Sequence, residues 1–423
     1  MSNVADEKQP IAIVGATLID GTGAEPVRDA AVLIEGNEIA AVGPRSAVGV
    51  PPNAEVLDAA GRYLLPGLID AHVHVSAPEF ITIPPKGDRT AYATAIAIRN
   101  LRSALQAGVT TVRDVCGPRI NLALRSAQRN GYLVAPRIYT AGMGICMTGG
   151  HGSSFEGSVH EVDGVDAVRH VVRIEHKAGA DLIKLLSSHR TDRPEFSLAE
   201  IEAGVDEAHR LGLPVAIHAA NLVSTDMAAR AGVDVIEHGS FVSEDTVDRM
   251  AKNGTVLVPT LWVKHDLATR LAEYKATPER FPWGDAIDLE ESTAWFQRCV
   301  EQLPETMRLA RERGLTIAAG TDFVLADQPW CLLPEEAEML VRLGLSPMDA
   351  IVAATHGGAA ALGLTDRLGT IAAGKWADLI LVDRDPLQDI ASLKDVSWVM
   401  QDGKVIPRSP EWDRRPIKDP IEL

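Results

Sequence analysis

The chain contains little cysteine. It has four cysteines in 423 residues, and no two of them stand at CxxC spacing. This scarcity excludes the pattern of a disulfide-stabilised secreted domain and that of a thiolate zinc site, and free thiols are typical of a reducing compartment. The four are Cys116, Cys146, Cys299 and Cys331.

A long hydrophobic run is also absent. Apolar residues make up 46% of the chain, but they never follow one another for the roughly 20 positions that a membrane-spanning helix needs. Residues 1–10 are polar and have no apolar signal core. These absences favour a cytoplasmic protein without a membrane partner.

Positive charge is scarce as well. The formal net charge is −17, and lysine and arginine form no cluster. This balance argues against binding of nucleic acid through its phosphates. A small-molecule or dipeptide-like amide substrate is the expected partner.

Aromatic residues make up only 4% of the chain, yet many of them fall between positions 261 and 300. Long loops on barrels often form lids, so this stretch predicts a partly aromatic substrate pocket, with Trp262 as a substrate-binding residue. Ordinary helix packing and an oligomer contact stay open as alternatives. Among the aromatic residues of this stretch are Trp262, Tyr274, Phe281, Trp283 and Trp295.

The length exceeds that of one ordinary hydrophobic core and predicts a large domain with a smaller one. Short β-rich runs at both ends, 1–63 and 365–423, predict one small discontinuous β-sandwich domain. Within the first run, Gly36-Asn37 between two apolar stretches is typical of a hairpin turn.

Between these ends, in residues 64–364, short apolar strands alternate with helical stretches, which indicates βα units around parallel strands. About eight strands predict an α/β fold of the TIM-type (β/α)8 barrel class. The predicted strands are Leu68–His74, Val109–Asp114, Arg137–Ala141, Asp181–Leu185, Pro214–His218, Val235–His238, Thr255–Thr260 and Thr316–Asp322.

Metal-binding side chains follow these strands. His72 and His74, one residue apart at the end of the first strand, face the same side because side chains alternate along a strand. The carboxyl ends of barrel strands carry the active site, and four more candidate ligands lie there: Lys184, His218, His238 and Asp322.

Four imidazoles, a carboxylate and a lysine carbamylated by carbon dioxide can hold two divalent ions, and zinc suits this nitrogen and oxygen set. Manganese, cobalt and iron stay open. Any single histidine is more often a core or surface group than a ligand, so the prediction depends on all four occurring at strand ends. Lys184 paired with an acid is the alternative for that residue.

Several motifs together resemble the metal-dependent amidohydrolase superfamily over nearly the whole chain. They are Pro66-Gly-Leu-Ile-Asp-Ala-His-Val-His74, Lys184, His218, Glu237-His238-Gly239, Gly320-Thr-Asp322 and Leu368-Gly-Thr-Ile-Ala-Ala-Gly-Lys-Trp-Ala-Asp-Leu-Ile-Leu-Val-Asp-Arg-Asp-Pro386. Within it, Gly149-Gly-His-Gly152 and Val258-Pro-Thr-Leu261 resemble the imidazolonepropionase-like group that contains Xaa-dipeptide carboxypeptidases (prolidase-like) and ochratoxin-hydrolysing amidases.

The resemblance implies two metal ions. The more buried ion would be bound by His72, His74 and Asp322. The second ion would be bound by His218 and His238, and carbamylated Lys184 would bind both ions. A water shared by two ions becomes a hydroxide nucleophile near neutral pH, and one ion polarises the scissile carbonyl. Asp322 is the predicted general base, which passes the proton to the leaving amine. A homo-oligomer is expected from the resemblance alone.

Loops at the strand ends predict the substrate contacts. Glycines let the backbone approach a ligand, so Gly150 and His151 are assigned to substrate binding, with His151 also a catalytic donor. Ser187-Ser-His-Arg190 and Ala219-Ala-Asn221 depart from the family pattern where substrate would lie. His189, Arg190 or Asn221 would meet the substrate there, while a solvated position for these side chains stays open.

Four functions compete at this point. The leading one is hydrolysis of a linear amide, as in a dipeptide, an N-acyl amino acid or ochratoxin A. The alternatives are hydrolysis of a cyclic amide, carbamate or phenylurea, then deamination, and finally a metal-free scaffold. The scaffold is disfavoured because scaffold relatives have usually lost ligands, and this chain has all six.

Overall fold

A computed structural model describes residues 9–76, 89–155, 157–189, 191–276, 289–322, 330 and 332–408. The strands are β1 Ile11–Leu18, β2 Val27–Glu35, β3 Glu38–Pro44, β4 Glu55–Asp58, β5 Tyr63–Pro66, β6 Leu68–Val73, β7 Val109–Asp114, β8 Arg137–Thr140, β9 Gly144–Cys146, β10 Val159–Glu161, β11 Ile183–Leu186, β12 Val215–Ala219, β13 Val235–His238, β14 Val256–Val258, β15 Leu379–Val382, β16 Val396–Gln401 and β17 Lys404–Val405.

Helices separate most of the central strands. They are α1 Arg89–Gln106, α2 Ile120–Arg129, α3 Val165–Ala178, α4 Leu198–Arg210, α5 Leu222–Ala231, α6 Glu244–Asn253, α7 Leu261–Ala276, α8 Leu289–Glu312, α9 Leu333–Arg342, α10 Pro347–Val352 and α11 Gly358–Ala361, with a π turn at Ala353–Gly357 and a 3₁₀ turn at Ile390–Lys394. No helix in the described part of the chain is long and apolar enough to cross a membrane.

Strands from both ends of the chain pair in one mixed sheet of order β17-β16-β15-β5-β1-β2-β3, with β4 beside β1. The predicted hairpin at Gly36-Asn37 joins β2 to β3 in antiparallel register. Gly36 has a φ of 66°, which glycine adopts without steric cost. The division into segments 1–63, 64–364 and 365–423 and the sandwich form of the smaller domain stay predictions.

The central strands form two parallel sheets, β6-β7-β8 and β10-β9-β11-β12-β13-β14. Strands β6 and β7 are buried along their whole length, as is typical of parallel strands whose sheet is covered on both faces. Helix α4 illustrates the local signals: Ser197 and Glu200 form a capping box at its start.

Seven of the eight predicted central strands overlap β6, β7, β8, β11, β12, β13 and β14. The eighth, Thr316–Asp322, is not a regular strand but a single parallel bridge between Ile317 and Leu257. Side-chain and helix groups bind its end in addition to the backbone of β6: Thr321 N donates to Asp70 Oδ1 at 3.0 Å, and Ala319 N donates to Ala353 O in the π turn at 2.9 Å. Strands β9 and β10 were not predicted.

The apolar cores lie between the sheets and the helices. One packs β6, β7 and β8 against α1, α9 and α10, and another packs β11 to β14 against α3 to α6. Cys116, Cys146 and Cys299 are buried free thiols, whereas Cys331 lies outside the described residues. The packing against these helices supports the parallel strands that carry predicted ligands.

Candidate metal centre and active site

The two histidines after the first central strand present the same ring nitrogen to one carboxylate. Nε2 of His72 and Nε2 of His74 each lie 3.3 Å from Asp322 Oδ1. Nδ1 of His72 lies 2.8 Å from Glu237 Oε2, and Nδ1 of His74 lies 2.8 Å from Cys116 O. Because both partners of Nδ1 are acceptors, they favour the tautomer that leaves an Nε2 lone pair free for a metal.

Asp322 is held in place by its own backbone and by Asp70. Its φ is 48°, an unusual conformation for a residue other than glycine, and its N–H donates to His72 O at 2.8 Å. Asp70 accepts from Thr321 N and from Thr321 Oγ1 at 2.8 Å. Burial raises the pKa of Asp70 to about 6, while imidazoles around Asp322 hold its pKa well below the usual range despite burial.

A buried ion pair supports His72. Arg113 Nη2 donates to Glu237 Oε1 at 2.7 Å, and Glu237 accepts from His72 with its other oxygen. Burial would raise the pKa of Glu237, but Arg113, Lys184 and His72 bring it below its usual range. Arg113 is not among the predicted site residues, although a charged residue inside a strand that is predicted to be central is a usable signal.

The remaining predicted ligands lie beside this cluster. The rings of His218 and His238 have centroids 4.3 Å apart, and His238 lies 5.3 Å from His72. Burial, together with surrounding cationic groups, lowers the pKa of both His218 and His238 well below the usual value. Within the described residues, the three ligand atoms that converge within 4.8 Å of one another belong to His72, His74 and Asp322.

Lys184 is buried at the same place. Its exposed fraction is 2%, and its Nζ has no hydrogen-bond partner among the described residues. Burial lowers the pKa of this amine to about 8. Glu237 and Asp322 act on it electrostatically, but no acid in the described part of the chain forms a hydrogen bond with Lys184.

All six predicted ligands line one cavity of about 100 Å³. His151 and His189 line it too, and so do the aromatic residues Phe155, Trp295 and Phe296. The cavity is therefore a concave site that combines titratable groups with an aromatic wall, which is the usual character of a small-molecule site.

The family is decided by the match of the whole central region to a known profile. The profile described as "Amidohydrolase family" matches residues 63–406. The chain belongs to the amidohydrolase family. It is accordingly a hydrolase that acts on amide C–N bonds, as the sequence motifs predict.

Individual relatives agree with this membership. The ochratoxinase of Aspergillus niger is 29% identical over 440 residues, which cover 95% of this chain and 87% of that protein. A crystal structure of a Xaa-Pro dipeptidase with bound methionine in the active site has a TM-score of 0.83 and 31% identity, covering 94% of this chain and all of that one. Phenylurea hydrolase B has a TM-score of 0.78 and 25% identity, covering 95% and 97%.

In this amidohydrolase, three of the predicted substrate residues do not line the cavity. Asn221 caps α5, since its side chain accepts from Ser224 N at 2.8 Å and donates to Thr191 O and Arg193 O. Trp262 packs against the core around α7. Gly150 N donates to Met147 O within the loop before His151.

The aromatic stretch between positions 261 and 300 also contains residues that line the cavity and residues that do not. Trp295, on α8, lines the cavity and is 5% exposed. Phe281 and Trp283, the side chain of Tyr274, and Arg190 lie outside the described residues. A cavity wall and core packing therefore both occur in this stretch, and the lid stays a prediction.

Carboxylates hold the loop that carries His151. Asp163 accepts from Thr148 N at 3.2 Å, Glu161 from Gly149 N at 2.7 Å, and Glu195 from His151 N at 2.9 Å. The His151 ring lies 4.1 Å from the His218 ring, and His151 Nδ1 is 3.1 Å from His189 Nδ1. Glu195 is a functional residue that the sequence reasoning missed, because its contact joins residues 44 positions apart.

The substitution Glu195→Gln is expected to change how stability depends on pH. Burial raises the pKa of Glu195 from its usual 4.5 to about 7, against the effect of the hydrogen bond from His151 N. A raised pKa means that the folded state binds the proton more tightly, so this stabilisation is complete below about pH 4.5 and is lost as pH rises through about 7. The Tm of Glu195→Gln minus that of the parent should therefore rise between pH 5 and pH 8.

The shift should be about 2 to 4 °C, after allowance for the partial exposure of this side chain. Glu202→Gln, at an exposed position of α4, is the matched control. A Tm difference for Glu195→Gln that is the same at both pH values would contradict the expectation.

Proposed function

We propose that this amidohydrolase is a binuclear metal-dependent hydrolase with a carbamylated lysine. The observation that carries the proposal is Lys184, a buried amine without a hydrogen-bond partner among the described residues, in a cavity with the four predicted ligand histidines and Asp322. A buried amine in this state is costly unless it is modified or paired. Its pKa of about 8 leaves more unprotonated amine for carbon dioxide than an exposed lysine has.

The donor set fits two ions. His72, His74 and Asp322 would hold one ion, His218 and His238 the other, and the carbamate of Lys184 both. Imidazole nitrogens and carboxylate oxygens are ligands that zinc accepts. The hydrogen bonds from Nδ1 of His72 and His74 to acceptors support this assignment, because they direct Nε2 toward Asp322.

When bound, the two ions supply an activated water and polarise the scissile carbonyl. The chain's own residues do the rest. Asp322 Oδ would accept a proton from the attacking water and pass it to the leaving amine. Arg113 and Glu237 keep the His72 ring in position, and His151, next to His218, donates to a substrate oxygen.

We further infer that the central strands close into a (β/α)8 barrel. Hydrogen bonds across the gaps between the sheets support closure: Asp181 N donates to Thr140 O, Leu257 N to Thr316 O and Ala71 N to Ala319 O, each at 2.9 Å. The ligands then share one rim, because active sites of such barrels lie at the carboxyl ends of the strands.

The substrate class that we propose is a linear amide with an apolar or aromatic acyl group, such as an N-acyl amino acid, a dipeptide or ochratoxin A. Phe155, Trp295 and Phe296 line the cavity and would pack against that group. The likeness to proteins named ochratoxinase and Xaa-Pro dipeptidase supports a substrate in which the scissile amide is joined to an amino acid.

An aryl urea is the second candidate. The apolar wall and the likeness to phenylurea hydrolase B favour it. The cationic side chains among the described lining residues, apart from histidine, are two buried lysines, Lys184 and Lys264. A neutral substrate would need no further cation.

A substrate panel tests the proposal. The full chain is loaded with zinc and bicarbonate and assayed with dipeptides, N-acyl amino acids, ochratoxin A and phenylureas. Turnover of an acylated amino acid that disappears after chelator treatment and returns with zinc is expected. Turnover confined to phenylureas would replace the first candidate by the second, and activity that persists without metal would contradict the metal-dependent mechanism.

A further inference from the structure

A second buried lysine, Lys264, lies beside the proposed metal centre. Its exposed fraction is 4%, and it occupies the fourth position of α7. An ammonium in the first turn of a helix is unfavourable, because the helix dipole is positive there. Glu336 offsets part of this charge, since its carboxylate accepts from Leu261 N at 2.9 Å and from Trp262 N at 2.7 Å.

The Lys264 ammonium holds the segment that follows β14. Its Nζ donates to Pro259 O at 2.6 Å and to Thr260 Oγ1 at 2.6 Å, and it lies 3.2 Å from Thr260 O. Nδ1 of His238 is farther away, at 3.3 Å. The shortest contacts of Lys264 are therefore with the backbone and hydroxyl of its neighbours in sequence, and not with the imidazole.

Thr260 and the proposed ligand His238, which connect Lys264 to the metal centre, both have strained backbones. Thr260 has a φ of 48° and His238 a φ of 73°, and for a β-branched residue such as threonine a positive φ is a genuine outlier. Such conformations persist only where the surroundings impose them, and they cluster at functional sites. The three hydrogen bonds from Lys264 to this segment are such a constraint.

The hydroxyl of Thr260 joins the lysine to the histidine. Thr260 Oγ1 lies 2.8 Å from His238 Nδ1. A hydroxyl has two lone pairs; Lys264 donates to one, and the other can accept from Nδ1–H of His238. This arrangement places the proton on Nδ1, so that Nε2 keeps the lone pair that a metal ligand needs.

We infer that Lys264 is a positioning residue that acts through Thr260 to hold the His238 ring in the orientation and tautomer of a ligand to the second metal ion. The inference rests on the proposed binuclear site. It adds a residue of α7 to a centre whose other parts come from the central strands and the segments that follow them.

Zinc binding by the full chain tests this role. Protein stripped with a chelator is equilibrated with bicarbonate and a series of buffered free zinc concentrations, and zinc per chain is measured by mass spectrometry. Thr260→Val removes the hydroxyl and keeps the shape, Thr260→Ser keeps the hydroxyl, and Lys264→Met keeps the length of the side chain. Lys177→Met, at an exposed position of α3, is the control.

Thr260→Val and Lys264→Met should each lower the affinity for the second zinc ion by about 10- to 100-fold and leave the affinity for the first unchanged. Thr260→Ser and Lys177→Met should bind both ions as the parent does. The comparison of Thr260→Val with Thr260→Ser tests whether the hydroxyl positions His238, even if Lys264→Met fails to fold.

Two results would overturn the inference in distinguishable ways. If the parent binds two ions and both variants bind the second as tightly, Lys264 does not position His238; a raised KM for substrates with a free carboxylate would then make it a substrate-binding residue. If the parent itself binds fewer than two ions, the binuclear proposal fails, and the role of Lys264 fails with it.

Discussion

Asp322→Asn should lower kcat by about 10³-fold and leave the metal content unchanged. An asparagine has the same shape and retains an oxygen for the metal, but it cannot accept a proton. The structure gives this oxygen a defined place, since Asp322 Oδ1 lies 3.3 Å from Nε2 of both His72 and His74. Turnover and zinc per chain, measured on the same preparation, check the expectation.

Loss of activity in Asp322→Asn could also result from loss of structure around Asp322. The segment is held by Asp70 through Thr321 and by Asp322 N to His72 O, and none of these bonds involves the Asp322 carboxylate. The backbone around Asp322 should therefore stay in place, while loss of the ionised carboxylate beside His72 and His74 should lower the Tm. An Asp322→Asn variant that binds zinc and turns over at the parent rate would exclude the carboxylate as general base.

Lys184→Met is the second large change, and it should remove both the two-ion state and the activity. Methionine fills the same buried, unpartnered position without an amine, so neither a carbamate nor a bridge between ions can form. Zinc per chain should fall from two to one or less, and kcat should fall by about 10³-fold or more. A signal from ¹³C-bicarbonate on the parent, absent from the variant, identifies the carbamate by NMR.

Stability provides the control for this variant. Replacing a buried amine without a hydrogen bond by an apolar side chain of similar length should keep or raise the Tm. Two zinc ions and full activity in Lys184→Met would show that Lys184 is not the bridge. The loss of activity without loss of zinc would assign it a different catalytic role.

The ligand positions could be predicted because each depends on local pattern. A strand alternates its side chains, so His72 and His74 had to face one side, and both Nε2 atoms do meet Asp322. The strand pattern also located His238 as the last residue of β13 and His218 as the residue before the last of β12, whereas Lys184 is the second residue of β11 and not at its end. Membership of the amidohydrolase superfamily, predicted from these motifs, is confirmed by the match over residues 63–406.

Substrate residues were harder to predict, since loop position alone does not give the direction of a side chain. Asn221 follows a strand end, yet its amide caps α5. Trp262 belongs to an aromatic stretch, yet it packs against the core while Trp295 lines the cavity. In both cases a local hydrogen bond or the helix orientation determines which way the side chain points.

The sequence by itself determined the family, the order of βα units and the six candidate ligands, because these depend on residue type and on periods of a few positions. Only the tertiary structure decided what surrounds those ligands. Arg113 reaches Glu237 across 124 positions, Glu195 reaches His151 across 44, and Thr260, which Lys264 holds, reaches His238 across 22. Such pairs lie far apart along the chain and close only after folding, when burial removes water and makes each partner necessary.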